Sequence, residues 1–74
     1  MKVFTIKDNS QLDIKLLKMW EDSGGSLEND WPNFIKSLDS NIISVKFYHH
    51  DSPSYTAITF ENEEHITWFL MRWA

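Results

Sequence analysis

The chain has no cysteine. Disulfide staples and thiolate metal sites are therefore excluded, and a reducing compartment is the expected setting. Glycine and proline are scarce, with two of each, and no low-complexity tract, internal repeat or long linker divides the chain. No long apolar run is present either. The longest, Trp68-Phe69-Leu70-Met71, falls far short of the roughly 20 residues of a membrane-spanning helix. Met1-Lys2 leads straight into a strand-like run without an apolar leader, so no secretory signal is expected and the chain reads as cytoplasmic. Bases are in deficit: seven Lys and Arg face eleven Asp and Glu, for a net charge of −4. Nucleic-acid affinity draws on Lys and Arg neutralising phosphates, so direct nucleic-acid binding is not expected.

What is abundant is aromatic. Four Trp, five Phe and two Tyr make up 15% of 74 residues. A chain of this length is one domain, residues 1–74, and buries only about 60% of its unfolded surface. Each buried aromatic removes roughly 150–250 Å² from water, which compensates for small size. Placing all four Trp in so small a core is difficult, so this many aromatics means either a dense core or some left over for a partner.

Periodicity divides the chain into six elements. Lys2–Ile6 alternates as a strand. Ser10 is the best N-cap for a helix reaching about Glu21, with Asp13 at the third following position. Leu12, Leu16, Met19 and Trp20 share its core face, while Ile14 and Leu17 lie off that stripe. Ser23-Gly24-Gly25-Ser26 ends it, glycine taking a left-handed C-cap at little cost. A second helix starts near Asp30, with Pro32 in its first turn and Trp31, Phe34, Ile35 and Leu38 as its stripe. Ile42–His49 reads as a strand with Ile43, Val45 and Phe47 inward and Ser44, Lys46 and Tyr48 outward. Asp51-Ser52-Pro53-Ser54 is a turn, and Tyr55–Phe60 returns with Thr56, Ile58 and Phe60 inward. Glu61-Asn62-Glu63-Glu64 opens the last helix, where carboxylates suit the positive end of the dipole. Its core stripe is Ile66, Phe69, Leu70 and Trp73.

The order β-α-α-β-β-α predicts an α+β fold with a three-stranded antiparallel sheet. Its form is a split β-α-β unit, resembling a ferredoxin-like domain without its last strand, with the helices on one face. A simple meander is the alternative. The other sheet face is expected to stay open and to carry Tyr48, Tyr55, Lys46, Ser44 and Thr59.

Catalytic constellations are missing. No serine sits in a nucleophile elbow, and Gly24-Gly25 lacks the context that cradles phosphate. Glu63 and Glu64 read as helix-start residues rather than a glycosidase pair. His49-His50-Asp51 invites a metal reading, but strand neighbours point to opposite faces and no metal-ligand spacing supports it. No catalytic residue, metal or cofactor is therefore expected.

Two groups of residues point to binding. On the last helix His65, Trp68 and Arg72 share a face away from Phe69 and Trp73, and Trp and Arg are the types most enriched in interface hot spots. The competing readings are a local cation–π contact of Arg72 on Trp68, or burial of Trp68 against the first two helices. Together with Tyr48 and Tyr55 these form the expected partner-binding set. Glu21, Asp22, Glu28 and Asp30, free of interspersed bases, form a candidate acidic patch. The plainer reading of that patch is a solvated loop.

The ending from Phe60 to Trp73, with a strand closing on Phe, an acidic helix start and an apolar helix closing on Arg72-Trp73, resembles the tails of small early or accessory proteins of T-even-like tailed bacteriophages. The resemblance covers the last fifth of the chain and carries no catalytic residues. It implies a small protein that binds a host enzyme, polymerase or defence protein. The expectation is thus an accessory or inhibitor protein acting by protein–protein contact. An acidic nucleic-acid mimic that occupies a basic surface is the first alternative, and a small enzyme or metal-dependent domain the second. Homodimerisation is left open.

Overall fold

Ser10 and Asp13 fix where the first helix begins. The Ser10 hydroxyl accepts from the Asp13 N–H at 3.3 Å, and the Asp13 carboxylate accepts from the Asn9 N–H at 3.1 Å. Two donors that the helix start leaves unpaired are satisfied in this way. The computed structural model describes residues 1–25 and 30–74. Its elements are β1 (Lys2–Lys7), α1 (Gln11–Asp22), α2 (Asp30–Ser37), β2 (Ile42–Tyr48), β3 (Tyr55–Phe60) and α3 (Glu63–Trp73). No helix among the described residues is long and apolar enough to cross a membrane.

Gly24 follows α1 with φ of 93°, the left-handed C-cap expected there. Gly25 serves a different need. A Cβ at that position would stand 2.1 Å from the Trp20 indole nitrogen, so only glycine lets the chain pass so close to the ring. At the other end of the chain the Asn62 side chain caps α3, accepting from the His65 N–H at 3.1 Å.

The sheet order is β1-β3-β2, and both pairings are antiparallel. β1 and β2 therefore run parallel with the last strand inserted between them. This is the split β-α-β arrangement, and it excludes the meander.

One face of the sheet holds the core. Ile6, Ile42, Thr56, Ile58 and Phe60 are buried there against Leu16 of α1, Trp31 and Ile35 of α2 and Phe69 of α3. Phe60 and Phe69 meet at 5.5 Å between ring centroids, and Trp20 meets Trp31 edge-on at 5.4 Å. Burying each such side chain stabilises the fold by roughly 1.5–3 kcal/mol. Thr56 is the buried polar residue of this core, and its hydroxyl accepts from the Trp31 indole N–H at 3.0 Å.

β2 departs from the expected alternation. Its register steps from Ile42 opposite Phe60 to Ser44 opposite Thr59, so a β-bulge places an extra residue in the strand. Ile42 enters the core, and Ile43, expected inward, is 42% exposed. Val45 and Phe47 return inward after the bulge.

Candidate functional site

The five residues expected to bind a partner fall on two separate surfaces. His65, Trp68 and Arg72 lie on α3, which packs its Phe69 side into the core. Tyr48 and Tyr55 lie on the sheet face that no helix covers.

On α3 the helical period sends Trp68 outward with Met71 and Arg72. Trp68 is 50% exposed and Met71 79% exposed. Trp68 is thus not buried against α1 and α2. Its ring lies 5.3 Å from that of His65. The Arg72 guanidinium sits 5.1 Å from the ring centroid of Trp73, not over Trp68, so the local cation–π cover considered for Trp68 is made to its neighbour instead. The His65 Nδ1 and the Trp73 indole nitrogen are buried without a hydrogen-bond partner. Ile14 and Leu17 of α1 also stay uncovered, at 55% and 37% exposed.

On the open face the register sets three rows across the sheet: Val3–Thr59–Ser44, Thr5–Ala57–Lys46 and Lys7–Tyr55–Tyr48. The two tyrosine rings stack at 4.7 Å and 17°. Desolvation, then the charge of Asp51, raises the Tyr55 phenol above its ordinary value. The bulge adds exposed Ile43 at the margin of β2.

Of the candidate acidic patch, Glu21 and Asp22 are exposed at the end of α1 and Asp30 is exposed in the first turn of α2. Glu28 lies outside the described residues.

His49 and His50 differ from expectation. Both stand beyond the end of β2, so strand alternation does not separate them, and their rings approach to 3.9 Å. Among the described residues no three His, Asp or Glu side chains come together as a metal site. A recess of about 500 Å³ opens between β1, α1 and the end of α3, with Phe4, Ile6, Leu12 and Leu70 in its wall and Lys7 and Lys15 at its rim. No carboxylate or imidazole side chain lines it. This recess was not legible in the sequence, because it depends on how far α1 and α3 stand apart. No protein-family model matches the chain, and neither a curated protein nor a solved structure matches it.

Proposed function

We propose that this protein is a non-catalytic binding protein that docks on another protein through the outer side of α3. The observation that carries the reading is the half-exposed indole of Trp68. Trp is among the residue types most enriched in interface hot spots. Met71, almost fully exposed nearby, adds an adaptable apolar contact of the kind found at docking surfaces. Arg72, held over Trp73, supplies a rim charge. In the phage-type setting implied by the C-terminal resemblance, the partner is a host protein and the outcome is inhibition or redirection of that protein.

The test is affinity capture from a host lysate with the wild-type chain and with Trp68→Ala as parallel baits. One stoichiometric partner held by the wild type and lost with Trp68→Ala is the expected result. Truncating a central anchor costs about 2 kcal/mol or more, roughly thirtyfold in affinity. The substitution should leave the thermal transition nearly unchanged, since half of the ring is already in water. A partner held equally by both baits would sink the assignment of the site, and no partner at all would sink the function.

A further inference from the structure

The net charge of the chain conceals how that charge is distributed. None of the eleven acids falls within β1, β2 or β3, whose charged residues are Lys2, Lys7 and Lys46. Lys7 and Lys46 belong to the rows of the open face. A molecule that is acidic overall thus presents one face whose strand residues are neutral or positive. Local potential, not net charge, decides what approaches a given surface.

The chemistry of that face is specific in a second way. Beside Val3 and Lys46, its first two rows carry the small residues Thr5, Ala57, Thr59 and Ser44, which let a ligand come close to the sheet. Its end carries the Tyr48–Tyr55 stack. β2 is an edge strand, and among the described residues no ring other than Tyr55 stacks on Tyr48. Tyr48 is 38% exposed, so part of its ring is within reach of a further planar group. Beside the stack a shallow groove runs between β1 and the hairpin turn, lined by Thr5, Lys7, Asp51, Ser52, Pro53 and Tyr55.

We propose that the open sheet face binds single-stranded RNA, a site distinct from the α3 surface and independent of it. A base extends the tyrosine stack on Tyr48, and Lys7 and Lys46 neutralise backbone phosphates on either side of the central strand. The hydroxyls of Thr5, Thr59 and Ser44 provide donors and acceptors for ribose 2′-hydroxyls, which favours RNA over DNA. Stacking on an aromatic platform tolerates any base, so no strong sequence preference follows. Two phosphate contacts make a weak site. Asp51 is the one carboxylate in the wall of the groove, and it opposes the ligand.

The experiment is fluorescence anisotropy of a labelled oligouridine of about 12 nucleotides, within the range of strand lengths that such surfaces hold. The matching oligothymidine and residues 1–74 together are used throughout. With two phosphates neutralised, the logarithmic salt slope is about −1.4, so affinity falls about sevenfold between about 50 and about 200 mM salt. Lys46→Gln should reduce that slope by half. Tyr48→Ala should weaken binding about fivefold or more and Tyr48→Phe should retain it, since stacking needs the ring and not the hydroxyl. Asp51→Asn should tighten binding, and Trp68→Ala should leave it unchanged. If Tyr48→Ala fails to fold, Lys46→Gln and Asp51→Asn decide through their opposite effects. The proposal is overturned by salt-independent binding, by equal or tighter binding of the oligothymidine, by loss of binding in Trp68→Ala, or by no binding at the lowest salt. It is also overturned if the face proves to be covered by a second copy of the chain, seen as a dimer that Lys46→Glu dissociates. Because Trp68→Ala separates the two surfaces, failure here leaves the protein-docking reading standing, and the reverse also holds.

Discussion

Thr56 and Trp31 form a pair whose value lies in its being complete. A buried indole N–H without an acceptor costs about 1–3 kcal/mol. Thr56→Val keeps the shape and removes the acceptor, so it should lower the thermal midpoint by about 4–24 °C, at roughly 4–8 °C per kcal/mol for a domain of this size. Trp31→Phe combined with Thr56→Val should cost less than the sum of the two single changes, because the unpaired donor is gone. Calorimetry on the three variants measures this directly. Asp13 is under the opposite kind of stress. Desolvation, with a smaller push from Asp8, raises its carboxyl above the usual value, and the hydrogen bond from the Asn9 N–H only partly offsets this. A raised acid binds its proton more tightly when folded, so this group's contribution to stability is greatest below the unfolded value and declines as pH rises through the raised one. Asp13→Asn should therefore stabilise the protein more at neutral pH than at pH of about 3, within the limits set by its retained cap. Equal effects at both pH values in thermal melts would count against that account.

At the scale of elements, caps and stripes were readable and strand detail less so. Ser10, Gly24, Asp30 and the stripe Trp31–Phe34–Ile35 stand where their residue types predict, because caps and helical periods are local properties. The inward set Thr56, Ile58 and Phe60 is likewise local, as it follows from alternation alone. Ile43 was not readable: two adjacent isoleucines leave the phase of a strand undecided, and the bulge that selects Ile42 arises from pairing with β3. Arg72 was misdirected for a similar reason, since Trp68 and Trp73 are both within its reach and only packing chooses between them. The α3 cap offers a test at this scale. Asn62→Ala should cost about 1 kcal/mol, lowering the midpoint by about 4–8 °C, whereas Asn62→Asp should keep the acceptor and add a favourable charge at the helix start. A drop of equal size in both variants would show that the cap bond is not what Asn62 contributes.

For the whole molecule, the division into two surfaces matters most. The sequence placed the tyrosines on an open face and Trp68 away from the core stripe, and both placements hold. The expected fold, with the helices on one sheet face and the tyrosines on the other, already separates the two groups. The strand order has a consequence for how the chain comes into being. β3, residues Tyr55–Phe60, is the partner of both other strands. During synthesis β1, α1, α2 and β2 are all made before any strand pair of the final sheet exists. Until Phe60 has left the ribosome the chain has two strands with unpaired edges and no sheet, and its inner residues must be kept from other chains. A chain halted at residue 54 should therefore show no β-structure by circular dichroism and should be quickly degraded. Adding the last twenty residues should restore both structure and protease resistance in a single step. Timing, as much as sequence, then decides when this fold first exists.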